Sequence, residues 1–165
     1  MPCAKCLQDP LMHSFEKIGE LHREKRTHVF YTTYKSMKDH SNAQDIEQHI
    51  LDELNRINGE QWIWVIDCKF IQAKHMVHIN VPIRLLKILS GKFGDGLTNV
   101  FLINSGPVIA SAIIALKPFI SRQFESYIRK ISGSPLELHE VFIKTYAWSP
   151  IETEPVIRRI MKDYA

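Results

Sequence analysis

A chain of 165 residues, 45% hydrophobic and 24% charged, is long enough to bury one real core and reads as a single globular unit. Its formal net charge of +3 permits attraction to an anionic membrane surface but gives no basis for nucleic-acid binding. The N-terminus MPCAKCLQDP lacks the apolar core of a signal peptide, and no run reaches the ~18 apolar residues of a membrane span, so a cytoplasmic protein is expected.

Residues 1–12 read as a flexible arm. They hold a C-x-x-C pair, Cys3 and Cys6, with no second pair after it. His13 and His22 are the nearest further zinc ligands, at spacings that fit no common finger, so two free thiols and no metal are expected. From Ser14 to Lys25, Phe15, Ile18 and Leu21 recur among charges, which predicts a short amphipathic helix. His28 to Tyr34 (HVFYTTY) is β-branched and aromatic, hence a strand. Lys35 to Asn42 is a polar connection, and Ser41 or Asn42 can cap the helix that follows. There Ile46, Ile50, Leu54 and Ile57 form one stripe, and Asn58-Gly59 ends it.

Trp62 to Asp67 (WIWVID) is an unbroken apolar run, as in a parallel strand covered on both faces. Val77 to Ser90 is helical, with Leu85, Leu86 and Leu89 as its apolar face and a start or kink at Pro82. Gly91 to Gly96 is a turn, and Thr98 to Asn104 a second buried strand. Trp62, Trp64 and Ile66 share one strand face; Val100 and Leu102 share another. Ser121 to Tyr127 reads as helix, Tyr127 to Ser132 as strand, and Thr153 to Tyr164 as an amphipathic helix; Leu136 to Trp148 shows no decisive period. The alternation predicts an α/β fold with crossover connections.

The most informative stretch is INSGPVIASAIIALKPFI, Ile103 to Ile120. After a Ser-Gly-Pro turn, Val108 to Leu116 is aliphatic or small on every side apart from one serine. Such a helix is buried, spans a membrane or covers something apolar. At ~1.5 Å per residue it reaches about 15 Å, half a bilayer core, so it does not span. It seals a core or lids a lipophilic ligand. One 16-carbon chain buried beneath it contributes ~12 kcal/mol before costs, at about 0.8 per methylene.

Enzymatic chemistry has little footing. Ser105 lies at a strand–turn–helix junction, but G-x-S-x-G is absent and Pro107 removes an amide that an oxyanion hole needs. His139 and Asp67 are the nearest candidates for base and orienting acid. GKFGDG lies between helix and strand, the wrong order for a phosphate loop. Asp67 reads as a strand-end cap on local amides.

The succession NGEQWIWVIDCKF, LLKILSGKFGDGLTNVFLINSGPVI and ALKPFISRQFESYIRKISGS resembles the CRAL-TRIO lipid-binding domain over about Val29 to Ser134. Lys117-Pro118-Phe119, at its distance from Asn104, is the most specific element. The resemblance implies a mixed, mostly parallel sheet flooring a hydrophobic cavity, with helices on both sides and an apolar gate helix near 107–117. It implies one such domain over 13–165, no catalysis and no cofactor beyond a bound lipid. Pocket positions carried over are Trp62, Trp64, Leu85, Leu89, Leu97, Val100, Leu102, Ile109, Ala112, Ile113 and Leu116. Head-group positions carried over are Asp95 and Tyr127. Asp95 replaces a glutamate of the phosphoinositide-binding members, Tyr127 a lysine and Phe124 a threonine, which removes a phosphate partner. Phe70 replaces a usual glycine, and Thr145 to Ala165 replaces the usual ending.

Three readings follow: a lipid carrier whose partners are a phospholipid or other hydrophobic small molecule and, transiently, a membrane surface; a protein-interaction module of the same fold without transfer activity; and an esterase using Ser105.

Overall fold

The structure is a computed structural model that describes residues 3–9, 13–35, 37–38, 41–91 and 93–165. Parts of the expected arm (1–2, 10–12) and of the 35–42 connection (36, 39–40), and Lys92 of GKFGDG, lie outside the described residues. The strands are β1 (Glu16–His22), β2 (Arg26–Thr33), β3 (Gln61–Asp67), β4 (Leu97–Ile103) and β5 (Ile128–Ile131). The helices are α1 (Ala4–Gln8), α2 (Ala43–Arg56), α3 (Ala73–Met76), α4 (Asn80–Leu89), α5 (Pro107–Leu116), α6 (Arg122–Tyr127), α7 (Pro135–Lys144) and α8 (Pro150–Tyr164), with a 3-10 turn at Lys117–Phe119.

The five strands form one sheet in the order β1-β2-β3-β4-β5. β1 and β2 are an antiparallel hairpin; β2 through β5 run parallel. Because strand order follows chain order, right-handed crossovers put every crossover helix on the same face. That face packs Phe30, Trp62, Trp64, Val100 and Leu102 against α2, α4, α5 and α6. The other face packs Tyr31, Val65, Phe101 and Ile103 against α7 and α8. The period of two along each strand sorts the two cores, as the shared faces of Trp62/Trp64/Ile66 and Val100/Leu102 require.

The helix expected over Ser14–Lys25 is instead β1. Its ladder slips between Lys17 and Gly19, a bulge that breaks the period of two and leaves a spacing of three that imitates a helix. Phe15 faces one core and Leu21 the other. α2 forms as expected, capped by Asn42 Oδ1 accepting from the Asp45 amide, and ends where Asn58 and Gly59 take positive φ. The unassigned 136–148 stretch is α7. Ser134-Pro135-Leu136-Glu137 closes a capping box there, and Ser149-Pro150-Ile151-Glu152 closes another that starts α8 three residues before the expected Thr153.

Candidate functional site

Between the α2/α4 side of the sheet and α5 lies a cavity of about 180 Å³. Its floor is set by strand register: Phe30 pairs with Trp64, Trp64 with Val100, and Ile66 with Leu102. Trp64, Ile66, Val100 and Leu102 reach the cavity. The Trp64 Nε1–H donates to Thr32 Oγ1 at 2.8 Å, which frees the indole face to present an apolar surface. Ile46 and Ile50 of α2 and Val81, Leu85, Leu86 and Leu89 of α4 form two walls. Ile109, Ala112, Ile113 and Leu116 of α5 roof it, and Phe124 and Ile128 close a side. No lysine, arginine, aspartate or glutamate is among the described lining residues; the polar groups are His13, Thr32, Tyr34, His75 and His78. Burial pushes the Tyr34 phenol up to about 12, so that group stays neutral.

Size and lining decide what fits. An apolar cavity of roughly 150 Å³ stays dry and admits a benzene-sized molecule. Ligand pockets for larger molecules run to about 300–1,000 Å³. At about 180 Å³ the cavity is nearer the size of a small apolar group than of a long acyl chain.

α5 is lightly buried. Only Ala112 and Leu116 are buried, while Ile114 on the opposite side is 73% exposed. The helix is therefore apolar toward the cavity and apolar toward solvent. Its backbone packs chiefly against α3 and the 3-10 turn. Its N-cap, Gly106, offers no side-chain acceptor, and its first turn has no acid and its last turn no base. By contrast α2, α7 and α8 are each closed by a side-chain cap.

Of the positions expected from sequence, Trp64, Leu85, Leu89, Val100, Leu102, Ile109, Ala112, Ile113 and Leu116 line the cavity. Trp62 and Leu97 do not. They are register partners near the starts of β3 and β4, where the Trp62 indole donates to the Phe93 carbonyl at 3.3 Å and borders a second recess with Ile57 and Phe93. Asp95 lies in a separate polar recess with Lys25, Arg26 and Glu60. There Arg26 and then His28 hold the Glu60 carboxyl down to about 2. Tyr127 packs on the cavity-side core without lining the cavity, and its hydroxyl accepts from Gln123 Nε2 at 2.8 Å. The two head-group positions thus sit outside the apolar lining. Sequence reading missed the α2 wall, although the Ile46/Ile50 stripe was visible.

The three residues of the hydrolase reading sit on different elements. Ser105 and Gly106 form the turn into α5, whereas His139 rides on α7 in the opposite layer. Asp67 is fully buried and committed: it accepts from the Tyr31 hydroxyl at 3.0 Å, the Tyr164 hydroxyl at 3.1 Å and the Lys69 amide at 3.1 Å. Burial raises its pKa against those donors. Asn104, at φ 50°, brackets Gly133 through both amide atoms and donates to the Tyr164 hydroxyl at 2.8 Å. These groups knit α8 to the strand ends.

The fold is a mixed, mostly parallel sheet with helices on both faces. The model of the CRAL/TRIO domain family matches residues 24–149, and the chain belongs to that family. Among solved structures, the crystal structure of Sfh5 is similar with a TM-score of 0.58 at 13% identity, covering 82% of this chain and 59% of that one. At that identity the likeness is one of fold. No curated protein matches the sequence.

Proposed function

We propose that this chain binds one hydrophobic molecule, a phospholipid or similar lipid, between the sheet and α5, without catalysis and without a cofactor. The observation that carries this reading is the charge-free cavity roofed by a helix that is apolar on both sides. A charged head group gains nothing from such a lining and stays near the rim, where burying it unpaired is not required. Acyl methylenes gain about 0.8 kcal/mol each on leaving water.

The surface around α5 supports loading from a membrane. Between Asp67 and Glu125 the chain carries seven lysines and arginines and one acid, Asp95. That stretch builds α3, α4, α5 and the 3-10 turn. Val77 is 76% exposed and, with Ile114 and Phe119, offers apolar contacts next to lining residues. Lys74, Lys117 and Arg122 are exposed among them. Basic groups near an anionic leaflet contribute roughly 1 kcal/mol each. No described helix is long and apolar enough to cross a membrane.

The test is delipidated protein incubated with phosphatidylcholine/phosphatidylserine vesicles, re-isolated and weighed by native mass spectrometry. One lipid per chain is expected. The Lys74→Ala/Lys117→Ala double variant loads roughly tenfold more slowly from phosphatidylserine-containing vesicles at low salt, and at an unchanged rate from neutral ones. Recovery of lipid-free protein from every vesicle composition would refute the proposal.

A further inference from the structure

Four metal-ligand side chains from distant parts of the sequence converge beside α2. Cys3 and Cys6 come from α1 and its cap, His13 from the approach to β1, and His49 from the middle of α2. One donor atom from each lies within 4.8 Å of all the others. The Cys6 Sγ is 3.3 Å from His13 Nδ1 and 3.6 Å from His49 Nδ1, although Cys6 and His49 are 43 positions apart. The Cys3 Sγ is 3.6 Å from the same His13 nitrogen.

From these observations we infer that Cys3, Cys6, His13 and His49 form a structural zinc site. Zinc–sulfur bonds of about 2.3 Å and zinc–nitrogen bonds of about 2.0–2.1 Å at a tetrahedral angle place ligand sulfur and nitrogen about 3.6 Å apart. The three sulfur–nitrogen separations above, 3.3, 3.6 and 3.6 Å, match this spacing. Two thiolates and two imidazoles select zinc over the hard, oxygen-seeking divalent cations.

The surroundings suit a metal as well. His49 Nε2 donates to the Phe15 carbonyl at 2.8 Å, which fixes the tautomer and turns the Nδ1 lone pair toward the sulfurs. Both histidines are buried, His13 at 1% exposure and His49 at 5%. The two cysteines are half-buried on the outer side, which gives the ion a way in. Four protein ligands leave no open position, so the role is to hold structure. The ion would pin α1 to α2 and fix the chain where it enters β1. His13 and Phe15 also line the cavity, so the site braces one end of it.

The expectation from sequence was two free thiols, with His13 and His22 as the nearest partners. His13 is in the cluster; His22 is not, because β1 carries it away and its amide donates to Glu152 at 2.9 Å. The signal that was passed over is His49. It lies one position from Ile50 on the apolar stripe of α2, where a buried imidazole needs a polar partner. Cys3, Cys6 and His13 precede residues 24–149, the span matched by the family model, and His49 lies within it.

The test is independent of lipid binding. Untagged protein, reduced and given zinc, is dialysed and its metal counted. One zinc per chain is expected, retained in His22→Ala and lost in Cys3→Ser and Cys6→Ser. Cobalt(II) added to metal-free wild-type protein should give intense tetrahedral d–d absorption with a thiolate charge-transfer band. Chelation should lower Tm by about 5–10 °C. Cys3→Ser is the variant least able to unfold the chain, since its side chain is outside both cores, and far-UV circular dichroism verifies its fold. Wild-type protein that gives a weak octahedral cobalt spectrum, forms a Cys3–Cys6 disulfide instead, or keeps its zinc when both cysteines are replaced would overturn the assignment.

Discussion

Ala112→Trp is expected to abolish ligand uptake while the domain stays folded. Ala112 is the small, buried residue at the middle of the α5 face that roofs the cavity. An indole there projects into a space of only about 180 Å³ and occupies much of it. Overpacking in a rigid core costs about 1–3 kcal/mol. Here the cost falls toward the low end, because α5 has solvent behind Ile114 and can shift outward. Tm should therefore drop by less than about 10 °C. Lipid recovered per chain should drop roughly tenfold or more, since the chain and the indole compete for one volume. A variant that loads lipid as the parent does would place the ligand elsewhere.

Phe142→Ala is the opposite experiment, with the largest expected effect on stability. Phe142 is fully buried on the far side of the sheet. Its ring stacks on Trp148 at 4.4 Å between centroids and meets Phe101 edge-on at 5.2 Å. Truncating a buried phenylalanine costs about 3–5 kcal/mol in lost transfer energy and cavity formation. The midpoint of chemical denaturation should fall accordingly. Lipid affinity at a temperature where the variant is folded should change by less than about twofold, because distant sites act independently. Equal loss of stability and of lipid binding would mean that the two faces are not separable.

Much of this arrangement was legible in the residues, and the failures have physical causes. The strands WIWVID and TNVFLIN were plain because a parallel strand buried on both faces must be apolar throughout. The α5 segment was plain because its composition leaves few alternatives. β1 was misread because a single bulge at Lys17/Gly19 converts a strand's alternation into a false helical spacing. α7 was passed over although Ser134 and Glu137 spell a capping box, a signal carried by two polar residues rather than by hydrophobic period. Nine of the positions carried over from the family resemblance line the cavity. Trp62 and Leu97 lie near the starts of β3 and β4, just short of the lining Trp64 and Val100, and residue type does not tell where along a strand open space begins. The cysteine–histidine convergence depends on His49 meeting α1 in space, which no local spacing encodes.

The most direct measurement is quenching of Trp64 fluorescence by a lipid brominated along its acyl chain. Trp64 faces the cavity, while Trp62 does not line it and Trp148 lies in the opposite layer. In a Trp62→Phe/Trp148→Phe background the remaining emission should fall saturably, with one equivalent of lipid per chain. Unquenched Trp64 emission, in protein that mass spectrometry shows to be carrying the brominated lipid, would contradict a ligand seated between the sheet and α5.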